Sequence, residues 1–163
     1  MSCCDPGLTR RGALGLLLAL AGCGFTPAYA PGGVGQRLRG AVHLPEASDL
    51  DSYALNAHLT ARLGPETAPR YDLTYALRVA VVEQGITPEQ VTTRFSLNGT
   101  LDFRLTDRTS GATLSQGAVS AFTSYSATGS TIATTAAEAD ARARLMRMLG
   151  DQLVTRLLGT VAA

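Results

Sequence analysis

Two stretches of alternating sequence decide the fold: YDLTYALRVAVVE at residues 71–83 and VTTRFSLNGTLDFRLTD at residues 91–107. In the first, odd-numbered positions from Tyr71 to Val81 are aromatic or aliphatic, whereas Asp72, Thr74 and Arg78 lie between them. In the second, apolar side chains again occupy mainly odd positions and polar side chains occupy even ones. Because successive side chains of a strand point to opposite faces, this period of two predicts strands with one buried and one polar face.

The second stretch also contains Asn98-Gly99, a dipeptide typical of hairpin turns. A two-residue turn there would place polar opposite apolar side chains at every paired position. A three-residue loop would set Arg94 opposite Arg104, and like charges at paired positions are destabilising. We therefore predict one long strand over residues 91–107, with Gly99 as a local bend or bulge.

Segments in which apolar residues recur at helical spacing lie before and after these strands in the sequence. In residues 53–63 a leucine recurs every fourth position, after capping oxygens at residues 48, 49 and 51. A long helix is predicted over residues 131–158, where Thr135 and Glu138 fit a capping box. An apolar stripe follows at near-helical spacing and predicts the face that packs on the core. The stripe consists of Leu145, Met148, Leu149, Leu153 and Leu157.

Two less regular segments complete the predicted domain. Apolar residues of even number between Val34 and Leu44 indicate a first strand, which Pro45 ends. Small residues at 113–125 indicate a fourth strand whose faces the pattern leaves ambiguous. The order β-α-β-β-β-α predicts an α+β two-layer sandwich: a mainly antiparallel sheet of about four strands with two helices packed on one face.

The N-terminus has the features of a lipoprotein export signal. Arg10 and Arg11 precede an apolar run that closes on Leu20-Ala21-Gly22-Cys23, and the run is shorter than the roughly 20 residues that span a bilayer. The sequence predicts removal of residues 1–22, lipid on Cys23, a lipidated tether at 23–33 and a single domain at 34–163. Gly24 favours the outer membrane, since Asp at this position favours retention at the inner membrane. The signal fits either general secretion or twin-arginine export.

Composition argues against several functional classes. The formal net charge is +1, which gives no bulk attraction for nucleic acid. His43 and His58 do not have metal-binding spacing, and no serine-hydrolase motif surrounds Ser120. Cys23 is the only cysteine after the predicted cleavage point, so no intrachain disulfide is expected. We predict a protein that is not an enzyme, with no catalytic residue, no metal and no cofactor apart from the covalent lipid on Cys23.

Two motifs resemble the LptE family of lipopolysaccharide-assembly lipoproteins: LAGCGFTPAY at residues 20–29, and GAVSAFTSY at residues 117–125 ahead of an alanine-rich helix. The resemblance implies a two-layer sandwich that sits as a plug in the β-barrel LptD and helps deliver lipopolysaccharide to the outer leaflet. From the strand pattern, the candidate contacts with lipopolysaccharide or the barrel are Arg78, Arg94, Arg104 and Arg108.

A second interpretation stays open from the sequence. The chain could be a small lipoprotein that faces the periplasm and binds a soluble ligand, or that pilots the assembly of another outer-membrane complex. A ligand-binding module of this kind should have a large apolar pocket between helices and sheet.

The first testable expectation concerns Cys23. Replacing Cys23 with alanine should abolish lipidation and leave the precursor uncleaved by the lipoprotein peptidase, because no other cysteine after the cleavage point can accept the lipid. Mass spectrometry of the N-terminal peptide measures both effects. A wild-type peptide without acyl mass, or one cut at another position, contradicts the prediction.

Overall fold

The computed structural model describes residues 33–86 and 92–161. The predicted signal peptide, Cys23 and residues 87–91 lie outside the described residues. The elements are α1 (Val34–Leu38), β1 (Val42–His43), α2 (Leu50–Leu63), β2 (Tyr71–Ile86), β3 (Thr92–Asp107), β4 (Thr113–Ser126) and α3 (Thr131–Val161). These four strands form one sheet in the order β1-β2-β3-β4, in which β1 is parallel to β2 and the other neighbours are antiparallel.

The central pair of strands confirms the parity argument. β2 and β3 pair from Tyr71 opposite Asp107 to Ile86 opposite Thr92, so residues 92–107 are one strand and not a hairpin. Gly99 lies in regular register between β2 and β4, and the predicted bulge at this position is wrong. The irregularity occurs instead between Leu105 and Thr106, at the beginning of β4.

Gly99 is needed for helix packing. A Cβ atom built on Gly99 would lie 2.9 Å from Cδ1 of Leu149 and 3.1 and 3.2 Å from the two Cδ atoms of Leu145. Glycine inside a strand often marks a close approach by another part of the structure. Here the absent side chain lets α3 approach the middle strand of the sheet closely.

Both long helices cover the same face of the sheet, as predicted. α3 packs on β3 and β4, and α2 packs beside α3. Asn56 of α2 accepts a hydrogen bond from the hydroxyl of Tyr75 in β2, at 2.7 Å. Leucines dominate the side chains with 0% exposure between the layers: Leu55, Leu59, Leu97, Leu101, Leu105, Leu145, Leu149, Leu153 and Leu157. This interior forms the single core around which the described chain folds.

The N-terminal segment differs from its predicted strand. Residues Val34–Leu38 are helical, and the strand is limited to Val42–His43. Val34 and Leu38 are four residues apart, a spacing that places side chains on one side of both a helix and a strand. Between the two elements Gly40 adopts a φ of +69°, where a side chain would be strained.

The beginning of α3 and its apolar face also need correction. The helix begins at Thr131, with the hydroxyl of Ser130 accepting from Ala133 N–H at 3.3 Å. The predicted capping box is wrong, because Glu138 instead accepts a hydrogen bond from Arg142 at 3.0 Å. Met148 is 38% exposed at the edge of the predicted stripe. Within the described residues, neither α3 nor any other helix is long and apolar enough to cross a membrane.

α2 begins with the capping predicted from its sequence, although three residues earlier than Tyr53. Asp49 Oδ1 accepts a hydrogen bond from Ser52 N–H at 2.7 Å, and Ser52 Oγ accepts from Asp49 N–H at 2.9 Å. Donation by the backbone and hydroxyl of Ser52 holds the pKa of Asp49 below its ordinary value. This reciprocal capping box satisfies donors that the first helical turn leaves without partners.

We expect the contact between Gly99 and Leu149 to appear as energetic coupling. Leu149→Ala should lower the free energy of unfolding by about 2–5 kcal/mol, the usual result of truncating a buried leucine. Gly99→Ala should cost about 1–3 kcal/mol through overpacking. The double variant should cost less than the sum, because Leu149→Ala removes the methyl group nearest to the new Cβ. Urea denaturation measures all three.

Gly117→Ala is the matched control for this cycle. Gly117 lies in β4, and an added Cβ would meet only ordinary contacts with Phe103, at 3.6 and 3.7 Å. The substitution should therefore not destabilise the domain, because alanine has less chain entropy to lose than glycine. Strict additivity of Gly99→Ala and Leu149→Ala would disprove the close-packing argument.

A further expectation concerns the cap of α2. Asp49→Ala should cost about 1 kcal/mol at neutral pH, whereas Asp49→Asn keeps an oxygen acceptor and should cost less. The folded-state pKa of Asp49 is lowered, so the stability linked to its charge is present above the unfolded pKa. It is lost as pH falls through the folded pKa, and the gap between wild type and Asp49→Ala should therefore narrow in acid. Urea denaturation at pH 7 and at about pH 3 tests this, and a gap that widened in acid would contradict it.

Candidate functional site

One face of the sheet has no helix packed on it, and we call this surface the open face. It is formed by the even-numbered residues of β2 from 72 to 84, of β3 from 94 to 106 and of β4 from 116 to 126, which lie side by side in the strand register. Most of these residues are polar or small, and most are exposed. Because the odd-numbered positions hold the core, the polar half of the alternating pattern is presented here.

The open face carries three arginines and two aspartates. Arg78 of β2 forms an ion pair with Asp102 of β3. Arg94 and Arg104 are exposed, and within the described ranges neither has an ionic partner. Ten residues separate them on β3, which corresponds to roughly 33 Å. The face therefore presents two separate guanidinium groups available to an external carboxylate or phosphate.

Arg108 lies elsewhere, in the turn that follows β3. Its Nε is 3.2 Å from Asp72 Oδ1, an ion-pair distance without hydrogen-bond alignment. The neighbouring Asp107 accepts backbone hydrogen bonds from Ser110 and Thr109, which together with Arg70 keep the pKa of Asp107 below its ordinary value. The structure therefore brings Arg78 and Arg104 to one half of the open face and places Arg108 in a hydrogen-bonded turn at its border.

A shallow depression on the open face lies between β2 and β3 beside Arg104. Its volume is about 300 Å³, and its lining includes Thr74, Ala76, Asp102 and Arg104. A hydroxyl, a carboxylate and a guanidinium thus surround a small surface pocket. This arrangement offers a polar group a hydroxyl, a negatively charged acceptor and a positively charged donor.

Sequence analysis missed the exposed apolar residues around this surface. Phe122 of β4 is 74% exposed and Val82 of β2 is 42% exposed. Phe122 and Val82 both have the even number that assigns a residue to the open face. The even number of Phe122 assigns it to the open face only once the register between β3 and β4 is known. The sequence alone does not provide this register.

The layer between helices and sheet is filled by side chains. Leu101 and Leu105 of β3 and Leu145, Leu149 and Leu153 of α3 all have 0% exposure in this layer. A module for soluble ligands is expected to have its apolar pocket here. These fully buried leucines occupy the place where the soluble-ligand interpretation expects a pocket.

Both histidines participate in local polar contacts. His43 Nδ1 lies 2.7 Å from Glu66 Oε2, and His58 Nε2 lies 3.0 Å from Asp151 Oδ1. No cluster of three or more histidine, cysteine or acidic side chains suited to a metal occurs in residues 33–86 or 92–161. Each histidine is therefore the partner of a surface carboxylate.

Comparison with solved structures shows the same fold in several bacterial proteins described as lipoproteins. A lipoprotein from Caulobacter crescentus CB15 is similar with a TM-score of 0.64 and 19% identity, over 80% of this chain and 97% of that one. The minor lipoprotein from Acinetobacter baumannii has a TM-score of 0.51 and 20% identity, over 73% of this chain and 89% of that one. Rare lipoprotein B from Shewanella oneidensis has a TM-score of 0.53 and 10% identity, over 74% of this chain and 93% of that one.

Sequence comparison gives the family. No curated protein sequence matches significantly. A family model described as "LptE: Lipopolysaccharide-assembly" matches residues 36–157, which include every strand and both long helices almost in full. The match confirms the family resemblance and includes the motif at residues 117–125, whereas the motif at residues 20–29 lies outside the matched range. It agrees with a protein that is not an enzyme. The chain therefore belongs to the LptE family of lipopolysaccharide-assembly lipoproteins.

Proposed function

We propose that this protein is anchored in the outer membrane through lipid on Cys23 and acts as the plug of an LptD-like β-barrel, where it assists assembly of lipopolysaccharide in the outer leaflet. Family membership supports the general role. The observation that carries the specific proposal is the open face, a broad polar sheet surface without a covering helix in the described chain.

The polarity of the open face suits the inside of a barrel. Barrel interiors are polar, in contrast to their lipid-facing surfaces. Arg78 already has Asp102 as a partner, so covering this pair does not leave a charge without compensation. Arg94 and Arg104 have no such partner among the described residues and would need one from the barrel or from lipid phosphate. Arginine is suited to both, because its planar fork donates two parallel hydrogen bonds.

The position of the tether supports insertion with one particular end first. Residue 33 leads into α1, which is connected to the end of the domain where β2 begins: Gly40 N–H donates to Leu63 O at 2.8 Å, and Tyr71 N–H donates to Ala41 O at 2.9 Å. We call this the base end, and the end near Ile86 and Thr92 the far end. With lipid on Cys23, the ten steps to residue 33 span at most about 36 Å.

That reach is shorter than the sheet. β2 has 16 residues and extends roughly 50 Å from the base end to the far end. This reach supports an arrangement in which the base end stays at the membrane surface that holds the lipid and the far end enters the barrel lumen.

The alternative role of binding a soluble ligand has less support. It requires an apolar pocket between the helices and the sheet, and leucines fill that layer. Piloting of another outer-membrane complex would use the surface, as a plug does, and differs in the partner. Identifying the bound partner therefore separates the two roles.

Charge reversal tests the proposal. The double variant Arg94→Glu and Arg104→Glu should reduce recovery of the barrel, or binding of lipopolysaccharide, by at least about tenfold, because each substitution turns a donor into a repelling group. The measurement is a detergent pull-down with the tagged full-length protein, followed by a separate lipopolysaccharide-binding assay. Circular dichroism should show an unchanged fold, since exposed substitutions usually alter stability by less than about 0.5 kcal/mol.

Arg147→Glu with Arg156→Glu is the matched control. Both arginines are exposed on α3, away from the open face, and the double substitution changes the net charge equally. The control should retain the barrel and lipid. Failure of the wild type to recover any barrel protein would refute the plug proposal. Full binding by the Arg94 and Arg104 variant in both assays would remove these two arginines from the contact.

A further inference from the structure

The dipeptide Asn98-Gly99 lies in the middle of β3, where it forms no turn. Asparagine followed by glycine is chemically reactive, because the backbone nitrogen of the glycine can attack the carboxamide carbon of the asparagine. Glycine favours this attack, since it has no Cβ and its backbone reaches more conformations than that of other residues. The chain has one other asparagine, Asn56, and it is followed by Ala57. Asn98 is therefore the more reactive of the two.

The reaction consumes water and releases ammonia. A bond forms between the Gly99 nitrogen and Cγ of Asn98, the Cγ–Nδ2 bond breaks, and the amide group leaves as ammonia with the proton of the Gly99 N–H. Water then opens the resulting succinimide ring at one of its two carbonyl groups. One opening leaves aspartate at position 98. The other leaves an isoaspartyl linkage, in which the backbone runs through the side chain and contains an extra CH₂ group.

The folded sheet holds the reacting atoms apart. Side chains of a strand stand roughly perpendicular to the sheet, and the Asn98 side chain is exposed on the open face. Gly99 lies between two antiparallel strands, opposite Val79 of β2 and Ala121 of β4. In an antiparallel ladder, hydrogen-bonded pairs alternate with non-hydrogen-bonded ones, so one of these two neighbours accepts a hydrogen bond from the Gly99 N–H. The attacking nitrogen is thus engaged in the plane of the sheet, away from the Asn98 carboxamide.

Helix α3 prevents a local rearrangement at this position. An ideal Cβ on Gly99 would lie 2.9 Å from Cδ1 of Leu149 and 3.1 Å from Cδ2 of Leu145, and both leucines have 0% exposure. Turning the peptide group of Gly99 toward Asn98 breaks the ladder and moves the backbone within this closely packed layer. The reaction therefore requires that β3 separate from its neighbours.

We propose that Asn98-Gly99 is a self-modification site that the folded sheet keeps inactive, so that its reaction marks molecules whose sheet has opened. Native proteins open locally and globally for a small fraction of the time, and the most protected backbone lies in core strands. β3 is such a strand, with a neighbour on each side. The inference goes beyond the proposed role in the barrel and does not depend on it.

The isoaspartyl product makes the mark permanent. Leu97 and Leu101 lie on either side of position 98 and both have 0% exposure on the core face. An extra backbone CH₂ between them interrupts the alternation that places both on one face. Aspartate at position 98 keeps the backbone unchanged, and its side chain meets only Ala80 and Phe122 at the paired positions. Chains with the isoaspartyl linkage should therefore fail to refold, whereas chains with aspartate should refold.

A comparison of folded and unfolded protein tests the protection. The purified full-length lipoprotein is incubated at mildly alkaline pH in buffer and in urea, and peptide mass spectrometry measures conversion at each asparagine. Conversion of Asn98 should be at least about tenfold slower in buffer, because only the open fraction reacts. Asn56 is the internal control and should react much more slowly than Asn98 in urea, since Ala57 has a Cβ. Equal rates for Asn98 in buffer and in urea would overturn the proposal, as would equal rates for the two asparagines in urea.

Three variants identify the attacking atom and the protecting contact. Gly99→Ala should slow the reaction of Asn98 in urea, where folding has no influence. Leu149→Ala should accelerate it in buffer, because this variant removes a side chain that packs on Gly99. Gly117→Ala is the matched control and should leave the rate unchanged, since an added Cβ there meets only ordinary contacts. An unchanged rate for Leu149→Ala in buffer would refute protection by α3.

Refolding tests the permanence of the mark. Urea-treated protein is diluted into buffer, the native fraction is isolated by size-exclusion chromatography, and fragmentation in the mass spectrometer distinguishes isoaspartate from aspartate. Isoaspartate should be depleted from the native fraction by at least about tenfold relative to aspartate, because it interrupts the register of the central strand. Asn98→Asp is the matched control and should refold like the wild type. Equal proportions of the two products in the native fraction would show that the modification does not mark opened molecules.

Discussion

The close contact of α3 with the middle of the sheet is the constraint on which the rest of the structure depends. At Gly99 the strand has no side chain, and Leu145 and Leu149 occupy the space that a Cβ would fill. This contact holds the long helix over β3 and β4, and α2 packs beside it. The mature chain has no expected disulfide, so burial of these leucines must supply most of the favourable free energy of folding.

The polar open face is a consequence of that one-sided packing. Two helices cover the odd-numbered face of the sheet, and no described element covers the even-numbered one. The open face therefore keeps polar side chains exposed. Arg78 pairs with Asp102 on it, Asp72 pairs with Arg108 at its border, and Arg94 and Arg104 have no ionic partner among the described residues. The alternating pattern thus assigns polar chemistry to the face that the helices leave uncovered.

The sequence was sufficient to predict strands and helices wherever the apolar residues followed one dominant period. Alternation fixed β2 and β3, and the four-residue spacing of leucines fixed the buried face of α2. It was insufficient where two periods coincide, as at Val34 and Leu38, which fit both a helix and a strand. Arg108 and Phe122 show the other limit. Arg108 has the even number of the open-face residues but lies beyond the end of β3. The position of Phe122 near an unpaired edge follows from the order of the strands in the sheet.

The open face and the edge of β4 differ in the physics of recognition. The arginines of the face act through charge, which is weakened by salt and depends on the sign of the partner. The edge of β4 instead offers backbone hydrogen bonds and apolar contact, since residues 112–137 carry no charge.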